Sequence, residues 1–324
     1  MDILIVGAGV VGAGVVESLA NAPSIPVGRV AIVDRNPHQA WQLSEKYGLP
    51  VTIGSLDDSA DVVVLATASG SQARLARRFL SRGRVILSTS DSVADVRRLL
   101  DMHGAAQRQD ALVVAGVGMA PGLTDVLAVR AAAEFDRVTE VHVAKFGTGG
   151  PACARQHHKA LSSLALEWRS GWKQRPGGSG RELCWFPSPV DASDCYRAAL
   201  PDPMLLARKF NGANRITARM AATRRDRFSS WLPMLRPPHP EGKLGAVRVE
   251  IRGQKGQKWT GRILGASAPP GNVTAAVLVS AIELFAAEKL RQIGAMGLAE
   301  VVDAAEFLDA LEGQKIVCEE FSGA

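Results

Sequence analysis

The 324-residue chain predicts an α/β protein built on an N-terminal Rossmann domain, a doubly wound parallel sheet. An inserted α+β substrate domain with a mixed or antiparallel sheet should follow, and a C-terminal helix should return to the first domain. Three observations predict this. Residues 3–20 read as buried strand, glycine turn and helix. Apolar strands and helices then alternate as far as residue 125. After residue 137 the strands become half-polar. The expected domains are therefore 1–125, 126–270 and 271–324.

Ile3 to Val6 is a short apolar run of the kind buried in a parallel sheet. It leads into Gly7, Ala8, Gly9, Val10, Val11 and Gly12, and Ala13 to Ala20 continues as an apolar-rich helix. In Gly-x-Gly-x-x-Gly the first glycine permits the tight turn. The second lets backbone approach a pyrophosphate, and the third lets helix pack on strand. The helix N-terminus adds unpaired N–H groups and partial positive charge. A second strand, Arg29 to Val33, ends in Asp34, 22 residues past Gly12, where a carboxylate can accept hydrogen bonds from an adenosine ribose. Asp34 repels a 2′-phosphate and favours NAD, although Arg35 beside it can grip that phosphate, so NADP is not excluded.

A polar helix is expected over Pro37 to Tyr47 and a short strand over Val51 to Ile53. Asp61 to Thr67 reads as a buried strand whose C-terminal end places Ala66, Thr67 and Ala68 along the cofactor groove, before a helix near Gln72. Arg84 to Thr89 is the next strand, with Asp91 or Ser92 capping the helix after it. Ala111 to Val117 is the sixth. It runs into Gly118-Met119-Ala120-Pro121-Gly122-Leu123-Thr124-Asp125, a turn followed by a helix from Leu123 to Phe135. Gly118 is placed at the cofactor, and Pro121, Gly122 and Asp125 at a substrate carbonyl or anion near the helix start.

Beyond residue 137, Thr139 to Gly147 alternates Glu140, His142 and Lys145 with Val141, Val143 and Phe146. Arg215 to Ala222, Ala246 to Gly253 and Lys258 to Leu264 read similarly, with loops expected at 176–180, 187–203 and 233–245. Asn272 to Leu290 is an apolar helix that must be buried on much of its surface.

Hydrophobic content of 47% and charged content of 22% are ordinary for a globular protein. The net charge of +6 is scattered and only 5% of residues are aromatic, which argues against nucleic acid and suits an anionic cofactor or an acidic substrate. Cys153, Cys184, Cys195 and Cys318 form no C-x-x-C pair, so neither a metal site nor a disulfide framework is expected. The N-terminal apolar run lacks a basic leader and no apolar segment is long enough to span a bilayer, so a cytoplasmic location without membrane association is expected. A homodimer is the default expectation.

The strand–Gly-Ala-Gly-Val-Val-Gly start, Asp34-Arg35, the 118–125 string and the late apolar helix followed by Gly294-Ala295-Met296-Gly297 resemble the saccharopine dehydrogenase-like oxidoreductases. The resemblance is strongest at 1–135 and 270–311 and weak at 150–245, the part that would choose the substrate. It implies a nicotinamide dinucleotide cofactor and oxidation or reduction of a C–N bond in an amino-acid-derived amine or imine. An alcohol or aldehyde dehydrogenase on the same scaffold, or a non-catalytic dinucleotide sensor, are the alternatives.

The richest string of the second domain runs from Gly147 to Lys159. Gly149 and Gly150 precede a helix whose backbone N–H groups can receive a substrate carboxylate. Arg155, His158 and Lys159 share one helix face, and Cys153 and His157 a neighbouring one. His157, His158 and Lys159 are the expected proton-transfer residues, and Arg155 the expected carboxylate ligand. Cys153 is expected only to pack, because a thiol–imidazole pair is idle in hydride transfer. Arg219, on a strand, is a second candidate for an acidic substrate, whereas Arg224 to Arg227 read as a solvated loop.

Overall fold

The computed structural model describes residues 1–22, 25–47, 51–53 (backbone only), 59–232, 234, 243–290 and 292–322. In chain order the elements are β1 (Asp2–Val6), α1 (Val10–Ala20), β2 (Arg29–Val33), α2 (Pro37–Tyr47), β3 (Val51–Ile53), β4 (Val62–Leu65), α3 (Gln72–Phe79), β5 (Val85–Ser88), α4 (Val93–Leu100), α5 (His103–Arg108), β6 (Leu112–Ala115), α6 (Leu123–Ala132), β7 (Arg137–Phe146), α7 (Pro151–Ser162), β8 (Leu164–Arg169), β9 (Trp172–Pro176), β10 (Glu182–Trp185), β11 (Ala192–Arg197), α8 (Asp202–Lys209), β12 (Arg215–Ala221), α9 (Arg224–Ser229), β13 (Ala246–Lys255), β14 (Lys258–Ser267), α10 (Pro270–Ala286), β15 (Gly294–Gly297), α11 (Leu298–Val301), α12 (Ala304–Gly313) and β16 (Cys318–Glu320). Two compact units result. The first holds 1–90, 94–118 and 271–314, and the second 91–93, 119–270 and 315–324.

The first unit is a parallel sheet with strand order β15-β6-β5-β4-β1-β2-β3. Strands β4, β5 and β6 are buried at every residue, as expected of parallel strands covered on both faces. Each fully buried Val, Leu or Ile there contributes about 1.5–3 kcal/mol of transfer free energy. The order reverses at β1/β4, which places the C-terminal end of β1 at a topological switch point. The late apolar helix α10 lies against α1 within this unit: a Cβ built on Gly14 would meet the Ala275 Cβ at 2.8 Å, and one on Gly271 the Val10 Cγ1 at 2.6 Å. The return of the C-terminal helix to the first sheet therefore follows from small residues at the crossing.

Strand β15 was not expected, because Gly-Ala-Met-Gly carries no β-branched or aromatic side chain. Pairing with β6 forms it, and the His103 ring packs where a Gly294 Cβ would stand.

The second unit is a mixed sheet with path β10-β11-β12-β7-β13-β14-β16, to which β8 and β9 attach through β12. β12 and β7 are parallel and the remaining pairs antiparallel. Here the expectations need correction. Part of the expected loop 187–203 is strand β11 and the start of α8, and Arg224 to Arg227 begin α9, where Thr223 and Asp226 form a capping box. Most of the expected loop 233–245 lies outside the described residues. The chain joins the second unit from Met119 rather than 126, and the 315–324 tail does so through β16 on β14. No helix among the described residues is long and apolar enough to cross a membrane.

Candidate functional site

In the first unit the turn 7–12 is built around close backbone approach. Gly7 has φ +114°, and a Cβ on Gly12 would stand 1.9 Å from the Gly7 carbonyl oxygen. A Cβ on Gly9 would meet nothing within 4 Å, so the bare backbone of the turn opens outward at the start of α1. That is the geometry a pyrophosphate requires. Ala8 and Gly12 are buried, while Val10 and Val11 are half-buried on the first turn of α1.

Asp34 is half-buried at the end of β2. Its Oδ2 accepts from the Ala8 N–H and its Oδ1 from the Asn36 N–H, each at 2.7 Å. These bonds tie the acidic residue to the glycine turn, and each oxygen keeps a lone pair for a ribose hydroxyl. Arg35 is exposed beside it.

After β4, Ala66 and Thr67 are half-buried and Ala68 is exposed. This segment is held by a residue not singled out in the sequence. Buried Asp95 accepts from the N–H groups of Gly70 (2.7 Å), Gln72 and Ala73 (both 3.1 Å), and from the Ser90 hydroxyl (3.0 Å). It caps α3 from a distance in sequence. Gln72, fully buried, donates to the Thr67 carbonyl at 2.6 Å and accepts from the Ser88 hydroxyl at 2.8 Å. Gly118 is buried at the end of the unit.

In the second unit four side chains converge. His157, on the inner face of α7, has its Nε2 3.3 Å from the Cys153 Sγ and 3.4 Å from the Asp91 Oδ2. Sγ and Oδ2 are 3.9 Å apart. Lys145, 5% exposed, places its Nζ 3.8 Å from Asp91 Oδ2 and donates to the Ala120 carbonyl at 3.3 Å. Burial opposes charge on both members of the Cys153–His157 pair. The histidine beside it nevertheless holds the Cys153 thiol below its ordinary range. The thiolate and the Asp91 carboxylate raise His157 above the usual histidine value, against Lys145.

Nearby, α6 presents Thr124, whose hydroxyl donates to the Asp202 Oδ1 at 2.8 Å. Burial holds the Asp202 carboxyl above its ordinary range, opposed by Lys145 and by that hydrogen bond. Pro121, Gly122 and Asp125 are buried at the start of α6.

Of the expected proton-transfer residues only His157 joins this cluster. His158 is half-buried, with its Nε2 2.8 Å from the Leu232 carbonyl, and Lys159 and Arg155 are exposed on the outer face of α7. Gly149 is half-buried and Gly150 buried before α7, whose start carries no acidic residue and no side-chain cap among the described residues. Arg219 is buried and engaged: it donates to the Gly180 carbonyl at 2.7 Å and pairs with Glu182 at 2.7 Å. Lys145 and Asp91 were missed as site residues. The signal for Lys145 is its parity, since it shares the face of Val141 and Val143 on β7.

The two units, a parallel sheet with a dinucleotide turn and a mixed sheet, match a solved structure along nearly the whole length. The apo saccharopine dehydrogenase (L-Glu forming) of Saccharomyces cerevisiae superposes with a TM-score of 0.69 at 12% identity, covering 99% of this chain and 100% of that one. The fold is shared with saccharopine dehydrogenase. A DAP dehydrogenase from C. glutamicum, solved with DAP, gives a TM-score of 0.53 at 17% identity over 97% of this chain and 98% of its own. Apo scyllo-inositol dehydrogenase from Lactobacillus casei gives 0.51 at 12% identity over 97% and 94%. Residues 2–92 match the family described as NADP oxidoreductase coenzyme F420-dependent. No curated protein sequence matches the chain.

Proposed function

We propose that this protein is an NAD(P)-dependent oxidoreductase acting on the C–N bond of an amino-acid-derived amine or imine. The observation that carries the reading is the cluster of buried Asp91, Lys145 and His157 with half-buried Cys153, in a chain whose other unit has the dinucleotide turn and Asp34. Gly7 to Gly12 cradle the pyrophosphate and Asp34 accepts the ribose hydroxyls, which favours NAD over NADP. A bound nicotinamide supplies or accepts the hydride.

The chain's own part is positioning and proton transfer. Lys145 gives a proton to the substrate nitrogen on reduction and takes it back on oxidation, oriented by the Ala120 carbonyl and Asp91. His157 sets the charge around Asp91 from the other side. The backbone of Gly149 and Gly150 at the start of α7 receives a substrate carboxylate.

The test is a fluorescence titration with NADH and NADPH, followed by turnover of amine and oxo-acid pairs by the wild type and by Lys145→Met. The reading expects micromolar-range dinucleotide binding, turnover that requires an amine or imine, and a kcat about 10²–10⁴-fold lower in the variant. The variant should keep the wild-type cofactor affinity. No dinucleotide binding, or an undiminished kcat in Lys145→Met, overturns it.

A further inference from the structure

We propose that Asp91, Cys153 and His157 form a binding site for one divalent transition-metal ion of the zinc class. The argument is geometric. The three ligand atoms, Asp91 Oδ2, Cys153 Sγ and His157 Nε2, are separated by 3.3, 3.4 and 3.9 Å. A single point lies about 2.1 Å from all three, which matches the distances at which zinc is held by nitrogen and oxygen (about 2.0–2.1 Å) and approaches that for sulfur (about 2.3 Å). Tetrahedral coordination at those lengths separates the ligand atoms by about 3.3–3.6 Å; the two separations from Nε2 fall in that range, and the 3.9 Å between sulfur and oxygen is about 0.3 Å wider.

A purely hydrogen-bonded account fits the same atoms less well. Sulfur and oxygen both face the same ring nitrogen, and they subtend about 70° there, so one N–H can point straight at only one of them. Three electron-pair donors turned on one point are best satisfied by a cation at that point.

The sequence builds this set economically. Cys153 and His157 lie one helical turn apart on α7, so their side chains project to one place. Asp91 comes from the short segment 91–93 that belongs to the same unit. Among the described residues this is the group of His, Cys, Asp and Glu side chains whose ligand atoms meet closely enough for a metal. The donor set selects the ion: a thiolate and an imidazole suit zinc, cobalt or a similar metal and disfavour magnesium and calcium. One thiolate and one carboxylate neutralise a divalent charge, which lets Lys145 remain 3.8 Å away. Three protein ligands also leave a fourth position for an exchangeable ligand, as in catalytic rather than structural zinc sites. If the proposed C–N chemistry holds, that position takes an oxygen or nitrogen of the substrate. Metal binding itself does not depend on that chemistry.

The test is metal binding to chelator-stripped protein, with zinc by calorimetry and cobalt(II) by absorption. The proposal expects one ion per chain, the thiolate-to-cobalt charge-transfer band, and the strong visible bands of a tetrahedral site. Cys153→Ser should abolish the charge-transfer band, and His157→Ala and Asp91→Asn should each weaken zinc binding about tenfold or more. Cys318→Ser, in the same unit, should change neither. Should Cys153→Ser fail to fold, X-ray absorption on the zinc-loaded wild type must show one sulfur among nitrogen and oxygen neighbours. No stoichiometric binding, a cobalt spectrum without the charge-transfer band, or an unchanged affinity in folded Cys153→Ser overturns the proposal. NADH titration and amine turnover on the same preparation keep the two readings apart. Zinc bound without dinucleotide binding sinks the oxidoreductase alone, and dinucleotide binding with amine turnover but no stoichiometric metal sinks the metal site alone.

Discussion

Substituting the third and second glycines of the turn separates what the turn does for packing from what it does for a ligand. In Gly12→Ala the new methyl carbon would stand 1.9 Å from the Gly7 carbonyl oxygen and 3.0 Å from its carbon. Ordinary contact begins near 3.4 Å, so α1 and the turn must part by about 1.5 Å. Gly7 cannot yield easily, since its own α-carbon faces the Ala66 backbone at φ +114°. Overpacking of this kind costs about 1–3 kcal/mol. For a unit of this size that lowers Tm by about 2–12 °C.

Gly9→Ala is the counterpart. Its Cβ meets nothing within 4 Å and its φ is −75°, a value alanine adopts freely. Stability should change by less than about 0.5 kcal/mol. A pyrophosphate lying on that backbone would collide with the methyl group, so NADH affinity should fall at least about tenfold, or about 1.4 kcal/mol. Scanning calorimetry gives the first quantity and quenching of NADH fluorescence the second. An unchanged Tm in Gly12→Ala refutes the packing argument. Wild-type NADH affinity in Gly9→Ala refutes the placement of the phosphates.

Asp34→Ala should weaken NADH binding about tenfold, the worth of a hydrogen bond to a charged acceptor, and NADPH binding less, measured by paired titrations. Equal losses for both would show that the carboxylate serves only the Ala8 and Asn36 N–H groups. Asp95→Ala strips the acceptor from three backbone N–H groups and one hydroxyl, and urea unfolding should show a loss of about 2–4 kcal/mol. A loss below about 0.5 kcal/mol would mean that water replaces the cap. Glu167 is buried between Arg197 (2.5 Å) and Arg169 (2.9 Å). Burial works to raise its carboxyl, but the two arginines hold it below the ordinary 4.5. Its folded value lies below its unfolded one, so its contribution is complete above about pH 4.5 and is lost as pH falls through the folded value. Between pH 6 and 3 the wild type should lose more stability than Glu167→Gln, and parallel curves would contradict that.

The first unit was legible because its signals are local. The Gly7–Gly12 turn, the all-apolar strands and Asp34 each owe their form to a few neighbouring residues, and the Asp34 carboxylate is tied to the turn by the Ala8 N–H. What the sequence hid is set by pairing and burial across long separations. β15 exists because β6 lies beside it, and β8 to β11 sit in a stretch dense with Gly, Pro and Arg that carries little alternation.

The chemical cluster was half-visible for the same reason. The i, i+4 spacing of Cys153 and His157 is readable in one helix, but Asp91 joins them from 62 residues away in sequence. Lys145 is the instructive case. Grouped by polarity it belongs with Glu140 and His142, but on a strand parity outranks polarity, and counting by twos from Val141 and Val143 puts it on the buried face. A lysine there must find a partner or lose stability. The Asp91 carboxylate and the Ala120 carbonyl meet that need, which makes a polar residue on an apolar parity a stronger pointer to a site than any histidine pair on an exposed helix face.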